Sequence, residues 1–348
     1  MLQLEISPHN PLCVMSINRR DPRMPRTLKN NARAARDLSA RRRGRAKAVG
    51  PRRGGKKSPT RKGVADGFPD GNDNDFSNFR PSVFCHEDEQ PYWNSINLDD
   101  VLDIVTATQI CINDMHPETS WNMLVHWPIF KLALGAAGTD IPTTSTAATT
   151  AGPKAMYTRV SCVPCTSARI TGRSRGSKMV DFCIALQHRE PRSSAEAGRA
   201  IRELRGRTDG SAVNHTDFYP LRDKPIVVSV QSRTPGEGLL AAQAQVGVWQ
   251  AAQWSLLGSQ YKSGKDGISS LPFLPALFIQ GSQWSFAATT KRDEQTLLST
   301  RQGVGASDTV LGIFQIIRTL RYMANWSATV YWAWYKREIL GIATSLPP

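Results

Sequence analysis

Acidic residues are scarce at the start of this chain: residues 1–65 hold only Glu5, Asp21 and Asp37 against 18 Lys and Arg. The remaining 26 acids and 26 basic residues cancel, so the formal charge of +15 over 348 residues belongs to this arm alone. Large apolar residues are also few after Ile17, too few to offset the entropy lost on ordering. The arm is expected to be disordered. It carries Arg41, Arg42, Arg43 and Arg45 in one basic run and Arg52, Arg53, Lys56 and Lys57 in the next. Such runs suit phosphate contact through counterion release and also read as nuclear import signals. Nucleic acid is thus the expected partner and the nucleus the expected compartment, with a solvated tail lacking a dedicated partner as the alternative.

Cysteine is sparse as well. The six cysteines show no framework spacing, and the first residues lack the basic start and apolar stretch of a secretory signal, so reduced thiols are expected. Cys162-Val-Pro-Cys165 has no second pair or histidine partner following it, which disfavours a zinc or redox centre there. Glycine motifs for nucleotide phosphates and the nucleophile elbow of hydrolases are missing, which removes those chemistries. An uninterrupted apolar run is missing too. Arg318, Arg321, Lys336 and Arg337 break the stretch from Val310 to Leu340, so it reads as an amphipathic helix and no membrane partner is expected.

What is present after residue 91 alternates between helix and strand patterns. Residues 66–91 are rich in Asp, Gly, Asn and Pro and read as a linker. Apolar spacing predicts a helix over 97–107 and a second over 120–134, divided or bent at Pro128. The Thr and Ala-rich stretch 140–152 reads as an exposed loop. Strands are expected over 157–163, 178–186 and 225–233, with the polar segment 189–207 weakly helical between the last two. A helix over 238–257 follows, then strands over 274–280 and 284–288 joined by a turn at Gln280-Gly-Ser-Gln283, and a last helix capped near Ser307-Asp308 and ending near Gly341. This order indicates an α/β domain over 92–341 with a mixed sheet flanked by helices.

Within that sheet one strand carries a single acid, Asp181, and another ends Val230-Gln-Ser-Arg233. Residues two apart on a strand share a face, so Gln231 and Arg233 point one way and Ser232 the other. With Gln245 and Trp249 on the next helix they form a polar cluster in an apolar sheet. Bland readings compete: Asp181 paired to Arg233 as a salt bridge, Gln245 and Gln253 as hydrogen-bonding core residues, Trp121, Trp127, Trp249, Trp254 and Trp284 as core filling, and His126 and His215 as structural histidines.

The cluster, together with Glu118-Thr-Ser-Trp-Asn122, Lys178-Met-Val-Asp181, Asn214-His-Thr-Asp217, Pro225 to Gly236, Gln245 to Trp254 and Trp326 to Trp334, resembles the PD-(D/E)XK nuclease superfamily, in particular a nuclease-like branch found in fungal proteins. The resemblance spans roughly 92–340. It implies a restriction-endonuclease-like fold and a phosphodiesterase site in which acids on two strands bind Mg²⁺ and a lysine positions water. Carried over, the acid is Asp181, the second acid position is Gln231 and the lysine position is Arg233. Glu118 matches a glutamate that adds a metal ligand, and Gln245 with Trp249 resembles a supporting QxxxY motif. Two signature positions depart from the pattern. A neutral amide oxygen at Gln231 weakens a magnesium site, and the guanidinium of Arg233 holds phosphate but cannot act as a base. The implied functions are therefore a Mg²⁺-dependent nuclease acting on nucleic acid, DNA first, or a silent nucleic-acid-binding or interaction module on the same fold.

Overall fold

The computed structural model describes residues 4–6, 92–143, 157–172, 180–189, 196–236, 238–261, 267–293 and 295–342. By contact the chain divides into Met1–Ser16 with Phe84–Pro348, and Ile17–Val83; the described residues all lie in the first unit. The two basic runs, the linker 66–91 and most of the stretch 140–152 lie outside the described residues.

Eight strands form one sheet: β1 (Leu4–Ile6), β2 (Thr139–Pro142), β3 (Tyr157–Pro164), β4 (Phe182–Arg189), β5 (Ile226–Arg233), β6 (Leu274–Gln280), β7 (Gln283–Arg292) and β8 (Gln295–Ala306). Their spatial order is β1-β8-β7-β6-β5-β4-β3-β2. Every pairing is antiparallel except β5 with β6. A parallel pair needs a crossover, and a helix supplies it. That helix is α5 (Leu239–Gln260). This is the mixed sheet flanked by helices that the resemblance implies.

The strand sequences explain which layer each face meets. On β4, Phe182, Ile184 and Leu186 join an apolar layer with Val228 and Val230 of β5 and with α1 (Leu98–Asn113), α2 (Glu118–Trp121), α3 (Trp127–Leu134), α4 (Glu196–Arg207) and α6 (Val310–Trp326). The alternating Cys183 and Ala185 face the other way, against Ala242, Val246 and Trp249 of α5 with Ala276 and Phe278 of β6. Seven of the eight residues of β5 are buried, as befits a central strand covered on both faces. No helix among the described residues is long and apolar enough to cross a membrane.

Several boundaries differ from the sequence reading for identifiable reasons. Leu4–Ile6, inside the arm expected to be disordered, pairs with β8, whose edge amides and carbonyls otherwise lack a strand partner. Thr139–Pro142, read as the start of a loop, is the opposite edge strand, pinned by the Arg159 guanidinium donating to both carboxylate oxygens of Asp140 at 2.8 and 2.7 Å. Strand β8 was not foreseen because Gly303 and Gly305 break its pattern; pairing with β7 imposes it, with register shifts at Trp284/Ser285 and Phe286/Ala288. The last helix is capped by Thr309, whose side chain accepts from the Gly312 amide, and not by the Ser307-Asp308 pair. After α6 it continues through a π-turn (Ser327–Tyr331), α7 (Trp332–Tyr335) and a second π-turn (Lys336–Leu340), closing at the left-handed Gly341.

Candidate functional site

Asp181 sits one residue before β4, a position away from its expected place inside the strand. Its amide donates to the Val230 carbonyl at 2.8 Å, just ahead of the Phe182–Val230 pair that opens the β4–β5 register. The Asp181 and Gln231 side chains meet at this end of the sheet. Asp181 Oδ2 accepts three hydrogen bonds: from Gln231 Nε2 at 2.7 Å, from the Ser232 amide at 2.8 Å and from Ser232 Oγ at 2.9 Å. Asp181 and Gln231 are 0% and 1% exposed. Hydrogen bonds to a carboxylate oxygen are among the strong ones, and three converge on this atom.

Arg233 leaves the end of β5 at the rim of this cluster. Its guanidinium donates to Glu118 Oε2 at 2.8 Å and also to Gln245 Oε1. Glu118 opens α2 and Gln245 lies on the second turn of α5, so Arg233 joins the helices on the two faces of the sheet. The salt bridge anticipated for Asp181 is thus made by Glu118 instead. Of the helix pair Gln245 and Gln253, the first holds Arg233, and Gln253 Nε2 donates to the Ile226 carbonyl at 2.7 Å.

The turn between β6 and β7 locks the rim. Gly281 has φ +57, and a Cβ there would meet Pro235 Cγ at 2.6 Å, so only glycine fits. Its amide donates to the Arg233 carbonyl at 2.8 Å, and its carbonyl lies 3.0 Å from His126 Nε2. His126, fully buried within the π-turn Asn122–His126, stacks beside Trp121 and meets Trp284 edge-on. Burial pulls its pKa down to about 4. Both histidines set aside as structural are buried; His215 is held down to about 3 by desolvation and packs at 4.3 Å against the Trp249 ring. Sequence reasoning undervalued Ser232 and Gly281. The first was assigned to the opposite face, but its amide and hydroxyl reach Asp181 around the strand end.

The implied magnesium can be tested against these residues. A hard divalent cation wants six or more oxygens, carboxylates first. Glu118 spends its charge on Arg233, Gln231 turns an amide nitrogen towards Asp181, and Asp181 Oδ2 is filled by protein donors. Among the described residues no group of three His, Cys, Asp or Glu side chains is placed to hold a metal ion. As arranged, the cluster satisfies its own charges, and it does not fit the cation. The Cys162 thiol is buried and in no disulfide, and Cys165 Sγ lies 3.5 Å from Cys183 Sγ.

A comparison with curated proteins and one with solved structures return no match. A family model described as the PD-(D/E)XK nuclease superfamily matches residues 68–332. That span takes in Glu118, Asp181, the end of β5 and the crossover helix, the parts that hold the polar cluster together. On the match and the mixed sheet alike, the chain belongs to the PD-(D/E)XK nuclease superfamily.

Proposed function

We propose that this domain is a nucleic-acid-binding module on a nuclease scaffold whose cleavage centre has become a closed hydrogen-bond network. The observation that carries the reading is the triple capping of Asp181 Oδ2 by Gln231 and Ser232. An oxygen so engaged has no lone pair left for a metal or for water, and the guanidinium of Arg233 offers N–H donors and no acceptor. Superfamily membership and the 18 basic residues of the first 65 support nucleic acid as the partner, with DNA the first substrate to test. The same basic runs suit nuclear import.

The test combines binding and cleavage on plasmid and single-stranded DNA over a titration of Mg²⁺ and Mn²⁺. The natural chain is expected to bind and leave the DNA intact. Restoring the signature with Gln231→Glu and Arg233→Lys together is expected to introduce metal-dependent cutting. Cutting by the natural chain that Asp181→Ala abolishes would overturn the reading in favour of a Mg²⁺-dependent nuclease, and failure to bind nucleic acid at low salt would remove its partner.

A further inference from the structure

Among the polar atoms around the layer between β5 and α5 that no described residue satisfies are Gln231 Oε1, Ser229 Oγ, Trp249 Nε1 and both ring nitrogens of His215. All four side chains are more than nine-tenths buried. Buried polar groups left without a partner are rare in folded proteins, because each loses its hydration for nothing in return.

Strand register places two of them together. Ser229 pairs with Cys183 and Ala276, and Gln231 pairs with Phe278, all on the face that α5 covers. Two hydrogen bonds then fix the helix along the strand: Gln245 to Arg233 at one end, and Gln253 to the Ile226 carbonyl at the other. Trp249 lies midway between the two glutamines, about 6 Å from each along the axis. Ser229 lies near the midpoint between Ile226 and Arg233 on the strand, with Gln231 next along the same face, so the indole stands near their level. His215 packs edge-on against that indole, with ring centroids 4.3 Å apart and planes at 77°.

The chemistry of these atoms selects the occupant. Gln231 Oε1 accepts, the indole N–H donates, the hydroxyl does both, and a neutral imidazole offers one donor and one acceptor. None is charged, since burial keeps His215 unprotonated with a pKa of about 3. A cation would find no anionic ligand among the four, and an anion would find only three donors. A neutral molecule that donates and accepts at once, and that has two to four polar partners, is water.

We propose that this layer is a built hydration site, in which internal water bridges Ser229, Gln231, Trp249 and His215. The water has a consequence for the centre above it. By donating to Gln231 Oε1 it holds the amide with Nε2 turned towards Asp181, the orientation that closes the carboxylate. The inference stands on burial and register and does not rest on the nucleic-acid reading, which survives its failure.

Two measurements on the full chain test it. In spectra of protein labelled at the tryptophan indoles, the Trp249 N–H is expected to show a cross-peak to a slowly exchanging water; its absence overturns the proposal. Water-oxygen relaxation dispersion, which reports long-lived internal water, is expected to lose amplitude in the paired variant His215→Phe with Ser229→Ala, and the denaturation midpoint is expected to fall. In a dry layer the same substitutions remove unsatisfied groups, so an unchanged amplitude with an unchanged or higher midpoint also overturns it. The indole measurement uses the natural chain and remains decisive if the paired variant does not fold.

Discussion

Gln231 faces Asp181 as a donor, its Nε2 2.7 Å from Asp181 Oδ2 across the β4–β5 pair. Where the resemblance implies a second carboxylate with a cation between the two, this chain has one neutral amide that fills both places. The Asp181 Oδ2 oxygen is met by donors of the protein itself, and Glu118 is held by Arg233.

Gln231→Glu should reverse that economy. Two buried carboxylates within hydrogen-bond distance cannot both ionise without a cation between them, so the carboxyl pKa of the pair rises. The variant is expected to lose about 3 kcal/mol at neutral pH. A carboxyl whose folded pKa is raised destabilises the fold above its unfolded value, so the deficit should shrink as pH falls towards about 4. Adding Mg²⁺ should restore part of it. Urea denaturation at several pH values, with and without the metal, measures all three, and a deficit independent of pH would contradict the facing geometry.

Ser232→Ala removes one of the three donors while leaving the backbone amide in place. The hydroxyl bond to a buried carboxylate, 2.9 Å long, is expected to contribute about 1–3 kcal/mol. A loss below about 0.5 kcal/mol in equilibrium unfolding would mean that the other two donors hold Asp181 without help.

Acid should weaken the fold through its two buried histidines. His126 has a folded pKa of about 4 and His215 of about 3, each lowered first by burial, against about 6.5 unfolded. The folded state excludes the proton that the unfolded chain takes up. The stabilising contribution is therefore complete above about pH 6.5 and is lost progressively as pH falls towards the folded values. A shift of this size at His126 corresponds to about 3 kcal/mol. A neutral ring donates to one of its two neighbours, the Gly281 carbonyl 3.0 Å from Nε2 or Asn122 Oδ1 2.9 Å from Nδ1. His126→Gln is expected to flatten the pH dependence of stability between pH 6.5 and 4. A curve of unchanged slope would show that the proton goes elsewhere.

How much of this was legible in the sequence follows from which physics each element obeys. The strands β3, β5 and β6 and the helix α5 were readable to within a few residues, because their apolar runs are long and their ends carry Pro, Gly or polar residues. Gln231 reaches Asp181 and Arg233 reaches Gln245, contacts at the sheet end towards which strand periodicity directs both side chains of β5. Strand β8 was not readable, since Gly303 and Gly305 oppose it locally and only the partner strand supplies the hydrogen bonds. Nor was the direction in which Gln231 presents its amide, or that Arg233 chooses Glu118 over Asp181. Those outcomes depend on Ser232 reaching around the end of β5 and on Glu118 of α2 and Gln245 of α5 both meeting Arg233 at the rim of the sheet, which no local pattern encodes.

The basic arm provides the remaining prediction, and substitution tests it more cleanly than truncation. Removing residues 1–65 would also remove β1 and bare the edge of β8, where unpaired backbone groups invite association with a second chain. Replacing Arg41, Arg42, Arg43, Arg45, Arg52, Arg53, Lys56 and Lys57 by glutamine leaves Leu4–Ile6 in place. If all eight meet duplex phosphates, the slope of log affinity against log salt should become shallower by about 7, and by about 6 on single strands. Affinity at low salt should fall by several powers of ten while any preference among sequences is unchanged, because phosphate contacts position without reading bases. An unaltered slope would move the nucleic-acid contact off the arm and onto the folded domain, and would leave the +15 charge of the chain without a binding role.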